Sequence, residues 1–211
     1  MYYITQIAVR IFMYMFFGLR YTGVKGVPRE GPLMICSNHL SNWDPPLIGC
    51  IMPRNVSFMA KEELFRSKVW AFFLRLLKAF PVKRGGSDYK AVRTAIDIIK
   101  NGGALLMFPE GTRQKNGSGI QPFERGVGLI ALKSNAVVLP VVISGSYKIF
   151  KRTHVKMGEP FSITEELARL HEEQLGGGTQ GSNSERSDVD LAVKIIRDRM
   201  IALTHGLEAR V

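Results

Sequence analysis

Short apolar runs alternate along this chain with stretches of helical periodicity, and that alternation limits the fold more than any other feature. The runs are Leu33–Cys36, Val56–Met59, Phe80–Lys83, Ala104–Phe108, Val137–Ile143 and His154–Met157. Strands apolar on both sides are buried on both faces, as in a parallel sheet covered by helices. Between them the spacing predicts helices near Glu62–Phe80, in one or two pieces, Tyr89–Lys100 and Phe123–Lys133. Gly102-Gly103 supplies the stop that the Tyr89 helix needs. The expected architecture is α/β, a largely parallel mixed sheet flanked by helices. After Pro160 come a charged helix, Glu165–Leu175, a Gly/Ser-rich linker over about 175–188, and an amphipathic helix near Ser187–Leu203 with Ser187 as N-cap. A length of 211 residues suits one such domain. We therefore divide the chain into an amino-terminal helix over 1–22, a central domain over 23–160 and carboxy-terminal helices over 161–211.

Charge adds a requirement for a partner. Residues 1–157 hold 23 Lys and Arg against 8 Asp and Glu, whereas residues 158–211 hold 6 against 10. A basic body calls for an anionic partner: nucleic acid, lipid headgroups or a phosphorylated substrate. Tyr2–Leu19 carries a single charge, Arg10, in the middle of eighteen residues. That is marginal for a membrane span and has neither the basic start nor the cleavage site of a signal peptide. Gln6, Arg10 and Tyr14 recur on one helical face with Ile4, Ile7, Ile11 and Met15 opposite, as expected of an amphipathic helix lying at a membrane surface. In Lys68–Phe80 a second such pattern sets Lys68, Arg75 and Lys78 beside Trp70, Phe73, Leu74 and Leu77. Cys36 and Cys50 have apolar neighbours and no CxxC spacing, so they read as buried thiols in a reducing compartment. The expected location is the cytoplasmic face of the cell membrane, peripheral and without a span.

Two segments carry chemistry. Asn38-His39-Leu40-Ser41-Asn42-Trp43-Asp44-Pro45 comes directly after an apolar run, where an α/β sheet exposes reactive groups. Histidine titrates near neutrality and can take a proton from an alcohol. A carboxylate five residues on, reached around a turn stiffened by Pro45-Pro46, can hold the other ring nitrogen, as in two-thirds of a Ser-His-Asp triad. Phe108-Pro109-Glu110-Gly111-Thr112-Arg113 comes after a second run. There Gly111 permits close backbone approach, Thr112 offers a hydroxyl, Arg113 offers a planar fork for phosphate oxygens, and Glu110 can accept a hydroxyl or hold the arginine. Each segment alone is compatible with an ordinary turn. Gly176, Gly178 and Gly181 match the letters of a dinucleotide fingerprint, but no strand precedes them. His39, His154, His171 and His205 are scattered without ligand spacing, so neither metal nor other cofactor is implied.

Together the two segments resemble the glycerolipid acyltransferase family, specifically the 1-acyl-glycerol-3-phosphate acyltransferases. The resemblance runs from about Gly23 to Pro160 and includes the blocks Phe80-Pro81-Val82-Lys83-Arg84-Gly85-Gly86 and Val137-Val138-Leu139-Pro140-Val141. It implies His39 as general base, Asp44 as its orienting partner, and Glu110, Gly111, Thr112 and Arg113 around the acceptor's phosphate. Arg84 and Lys61 are further phosphate-site candidates on the same ground. Many members have a longer, two-helix amino-terminal region, and only one such helix fits before His39 here.

The reaction this implies moves a fatty acyl group from a thioester, acyl-CoA or acyl carrier protein, onto the free hydroxyl of lysophosphatidate, giving phosphatidate. Membrane phospholipids, the acyl donor and lysophosphatidate are then the partners. Rival readings are another acceptor, such as glycerol-3-phosphate or another lysolipid, and a non-catalytic lipid binder at a membrane surface. Nucleic acid is the weakest reading, because the aromatics lie in apolar helices and no recognition motif is present.

Overall fold

The computed structural model describes residues 2–83, 88–114, 119–149, 151–175 and 185–208. In chain order they form α1 (Tyr2–Phe17), β1 (Arg20–Thr22), β2 (Leu33–Ser37), α2 (Asp44–Ile51), β3 (Val56–Lys61) and α3 (Lys68–Leu76). Then come β4 (Ala79–Val82), α4 (Tyr89–Lys100), β5 (Ala104–Met107), α5 (Arg125–Ser134), β6 (Val137–Gly145), β7 (Thr153–Met157), β8 (Phe161–Ser162), α6 (Ile163–Leu175) and α7 (Glu185–Glu208). The strands make one eight-stranded sheet in the order β1-β7-β6-β2-β5-β3-β4, with β8 paired to β6. Pairing is parallel except where β7 and β8 meet β6, so the expected largely parallel mixed sheet is what forms.

Every residue of β2, the central strand, is buried. Leu33 and Ile35 face a core built with α1 and α2, and Met34 and Cys36 face a second core built with α4, α5 and α7. The near-continuous apolar run at 33–36 is thus explained by helices on both sides of the sheet. The carboxy-terminal helices share that second core, where Leu167, Ala192, Ile196 and Met200 are buried.

Three local features differ from the expectations. Pro45-Pro46 do not make a free turn: they occupy the first turn of α2, where proline's missing N–H has no intrahelical partner to lose. The Glu62–Phe80 stretch comes in two pieces, as its spacing allows: a 3-10 turn over Glu62–Phe65 and α3. Leu74 of α3 and Leu77 just after it pack against the core, while Val69 and Phe72 of α3 are exposed. The last helix begins at Glu185, which leaves Ser187 inside it rather than at the N-cap. The glycine-rich 176–184 stretch, with its fingerprint-like spacing, lies outside the described residues.

The amino-terminal helix is amphipathic in an inverted sense. Gln6, Met13 and Phe17 are buried against the domain, while Ile4 and Met15 are 72% and 66% exposed and Ile7, Ile11 and Tyr14 are also out. Gln6 Nε2 donates to the carbonyls of Gly49 at 2.8 Å and Met52 at 2.7 Å, and Arg10 Nε donates to Cys50 O at 2.7 Å. The carbonyls at a helix's last turn lack intrahelical partners, and a cation there also meets the negative end of the helix dipole. Gln6 and Arg10 therefore dock on α2 beside the buried Met13 and Phe17, while the stripe of Ile4, Ile7, Ile11 and Met15 faces outward together with Tyr14, which the spacing places on the face of Gln6 and Arg10. No helix among the described residues is long and apolar enough to cross a membrane.

Candidate active site

Parallel neighbours β6, β2 and β5 all end at the same edge of the sheet, with Cys36 level with both Met107 and Pro140. The loops leaving these strands therefore converge there: Asn38-His39 after β2, Phe108-Pro109-Glu110 after β5, and Ser146-Tyr147 after β6. Both motifs, separated by about seventy residues in the chain, become adjacent loops by this register alone.

Asp44 opens α2 and is completely buried. Its Oδ2 accepts from His39 Nδ1 at 2.7 Å, from Leu40 N at 2.6 Å and from Ser41 N at 2.7 Å. The pair therefore forms as the spacing predicts, with the proton-bearing nitrogen fixed as Nδ1 if Asp44 is ionised. His39 Nε2 has no hydrogen-bond partner among the described residues, so it is the nitrogen available to a substrate proton. Three contacts hold the imidazole in place. Its ring stacks on Phe108 with centroids 4.1 Å apart and planes 17° from parallel. Its carbonyl accepts from Gln114 N at 2.8 Å, which ties the two motif loops together. Asn38, next door, exchanges two hydrogen bonds with the Ile143 backbone at 2.9 and 2.8 Å and pins the loop to the end of β6.

Glu110 is nearly buried, and one oxygen accepts from Gln114 Nε2 at 2.8 Å. The other, Oε2, is buried without a partner. Burial pushes this carboxyl above its ordinary range, against a smaller opposing effect of the Gln114 bond. A buried carboxylate with an unused acceptor suits a ligand hydroxyl. Gly111 has φ +67°, and a Cβ there would stand 3.1 Å from Glu124 Cγ, so the turn uses glycine's backbone freedom. Gly111, Thr112 and Arg113 are exposed on the same loop, and Arg113 makes no hydrogen bond or ion pair among the described residues. Its guanidinium is thus exposed on the loop that holds Glu110. Lys61, at the end of β3, pairs with Glu63 at 3.1 Å, and no bond among the described residues joins it to His39 or Asp44. Arg84 lies outside the described residues.

Cysteine chemistry has no place here. Both thiols are buried and free, and burial raises both, Cys50 to about 12, so neither is a thiolate near neutrality. Among the described residues no His, Cys, Asp and Glu cluster could hold a metal.

Tyr147 was not legible as a site residue. Its Oη donates to Asp44 Oδ1 at 2.5 Å across 103 positions of sequence. Nothing in the local pattern of Ser146-Tyr147-Lys148 marks it, and only the strand order brings it to Asp44. Phe108 and Gln114 were likewise visible only as motif neighbours, not as the groups that hold His39.

Comparison with known proteins gives concordant results. The sequence model of the family described as Acyltransferase matches residues 18–144, more than half of the chain. The 1-acyl-sn-glycerol-3-phosphate acyltransferase of Bacillus subtilis strain 168 is 27% identical over 190 residues, covering 87% of this chain and 94% of that protein. The enzyme of the same name from Streptococcus pneumoniae is 26% identical over 147 residues, 66% of this chain and 53% of that one. A similar match, 29% identical over 122 residues, is the lyso-ornithine lipid O-acyltransferase of Pseudomonas aeruginosa, covering 57% of this chain and 46% of that protein. Among solved structures, the 1-acyl-sn-glycerophosphate acyltransferase PlsC of Thermotoga maritima superposes with a TM-score of 0.69. It is 25% identical, and the superposition covers 99% of this chain and 79% of that one.

Proposed function

The chain belongs to the acyltransferase family and is an enzyme of that kind, and from this premise we propose that it acylates the free hydroxyl of 1-acyl-glycerol-3-phosphate to give phosphatidate. The observation that carries this reading is the His39–Asp44 pair, 2.7 Å apart and buried, with His39 Nε2 left for the acceptor. The acceptor hydroxyl lies against Nε2. His39 takes its proton as the oxygen attacks the thioester carbonyl, and the tetrahedral intermediate collapses with loss of the thiolate, which the imidazolium protonates. No acyl-enzyme is needed, because the substrate hydroxyl stands where a serine would. Asp44 fixes the tautomer and supports the imidazolium charge. Arg113 supplies a cation for the acceptor phosphate, and Glu110 Oε2 accepts a glycerol hydroxyl.

The names of the Bacillus and Streptococcus relatives favour a phosphorylated acceptor, and the exposed Arg113 agrees with it. The Pseudomonas relative, named for a lyso-ornithine lipid, keeps a second acceptor class in view. The deciding experiment offers purified protein a labelled acyl thioester with lysophosphatidate, glycerol-3-phosphate or a phosphate-free lysolipid. Lysophosphatidate should be acylated at the highest kcat/KM. A clear preference for a phosphate-free lysolipid would refute the assignment. Running each acceptor with acyl-CoA and with acyl carrier protein identifies the donor.

Membrane phospholipid is the second proposed partner, bound peripherally at the cytoplasmic face. The outward Ile4, Ile7, Ile11 and Met15 of α1 form an apolar stripe with no acidic residue in the helix. A lipid-bound acceptor has to be reached where it resides, and such a stripe enters the headgroup region without spanning it.

A further inference from the structure

Asp44 carries four hydrogen bonds, divided three to one between its oxygens. Oδ2 takes His39 and the backbone N–H groups of Leu40 and Ser41, all supplied by its own loop. Oδ1 takes one, and that donor comes from elsewhere in the fold: the hydroxyl of Tyr147 at 2.5 Å. This tyrosine, between β6 and β7, is held from both sides. Its ring meets Phe17 of α1 edge-on, centroids 5.6 Å apart. Its loop is closed by Ser146 N donating to Arg152 O at 3.3 Å and Thr153 Oγ1 donating to Ser146 O at 3.1 Å. Gly145, where the loop leaves β6, has φ +93°, and a Cβ there would fall 2.2 Å from Arg152 O. Such a loop places the hydroxyl with little freedom to move.

Accordingly, we propose that Tyr147 is a positioning residue for acyl transfer, its hydroxyl locking Asp44 and setting how strongly that carboxylate draws the proton onto His39. This rests on the assignment of His39 as base. A donor on Oδ1 withdraws negative charge from the carboxylate and so lowers the basicity that Asp44 confers on the imidazole. It also prevents the carboxylate from rotating, which would leave His39 free to adopt the other tautomer. Burial and the charge of Asp44 both keep the Tyr147 phenol protonated, so it remains a donor across the working range. The other ionisable groups facing the pair are Glu110, from the loop after β5, and Cys50 of α2 behind Tyr147, with Arg10 of α1 beside Cys50.

The test reads His39 directly. Nitrogen-15 histidine NMR tracks its titration in the parent, in Tyr147→Phe, and in protein with fluorotyrosine incorporated at position 147. The phenylalanine variant should raise the His39 titration by several tenths of a unit up to about one unit. Fluorotyrosine, a stronger donor of nearly the same shape, should lower it. In turnover, Tyr147→Phe should reduce kcat roughly tenfold or more, move the acid limb of the kcat profile to higher pH, and leave the acceptor KM within about twofold. Opposite shifts for the two replacements identify an electrostatic link that a packing role cannot mimic. An unmoved His39 titration in both, or a fall in stability and KM alone, would overturn the proposal. Fluorotyrosine keeps the test available even if the phenylalanine variant folds poorly. The NMR needs no turnover, so a parent that fails to acylate lysophosphatidate refutes the functional assignment and leaves the Tyr147 result to stand or fall by itself.

Discussion

Asp44 concentrates the demands on this site, because a fully buried carboxylate is tolerable only when its oxygens are satisfied. Asp44→Asn can keep an acceptor oxygen for His39, Leu40 and Ser41, but it removes the charge that supports the imidazolium and turns an amide NH2 toward the Tyr147 hydroxyl, which must then accept rather than donate. Its kcat should fall on the order of 10²–10⁴-fold, with a lower Tm, as steady-state kinetics and thermal unfolding would show. Arg113, exposed and unpaired among the described residues, should matter differently. Arg113→Ala should weaken use of a phosphorylated acceptor roughly ten- to a hundredfold, the range for a lost charged hydrogen bond, and leave a phosphate-free acceptor nearly unaffected. Equal losses on both would show that it only shapes the loop. Glu110 yields a stability prediction. Its carboxyl is raised in the fold by burial, so the native state binds its proton more tightly than the unfolded chain does. That contribution is present below the ordinary carboxylate range and is lost as pH rises through the folded value. The stability of the parent relative to Glu110→Gln should therefore decline on raising the pH from about 4 towards neutrality, measured by urea unfolding at successive pH values. His39, Asp44 and the Glu110–Arg113 stretch were readable because their chemistry is local in sequence. Tyr147 was not, since its meaning lies in one bond to a residue 103 positions away.

At the level of elements, α1 shows how far periodicity reaches. Its spacing marks an amphipathic helix, and the opposition of Gln6 and Arg10 to Ile4, Ile7, Ile11 and Met15 is real. What spacing cannot state is which face turns inward. That is decided by the unpaired carbonyls at the end of α2, which draw Gln6 and Arg10 to themselves. The α2 helix itself was hidden by Pro45-Pro46, read as a turn although proline suits a helix's first turn. Strands β1 and β8, of three and two residues, are too short to leave a periodic signal. Two variants separate the faces of α1. Gln6→Ala strands the Gly49 and Met52 carbonyls and should destabilise the fold by about 1–3 kcal/mol, read from chemical denaturation. Ile7→Asp with Ile11→Asp should leave Tm nearly unchanged and abolish most binding to lipid vesicles in a sedimentation assay. Full vesicle binding by that double variant would place the lipid-facing surface elsewhere.

Over the whole molecule the decisive fact is strand order. Putting β2 between β6 and β5, all parallel, brings three loops distant in sequence to one edge, and no single segment encodes that order. Continuous apolar runs showed that the sheet is largely parallel and covered on both sides. Its order of neighbours comes from packing the two cores together. The net charge of +11 belongs to the same scale. Vesicle binding should favour anionic over zwitterionic lipid and weaken with salt, while the α1 stripe leaves a salt-resistant remainder. Identical binding to both lipids at low salt would exclude the electrostatic share. The most direct test of the account traces a labelled acyl group from thioester to lysophosphatidate, catalysed by the parent and by folded His39→Ala protein side by side. Labelled phosphatidate from the parent, with a rate reduced at least 10²–10⁴-fold in His39→Ala, is the result expected; transfer at the parent's rate without the imidazole would contradict it.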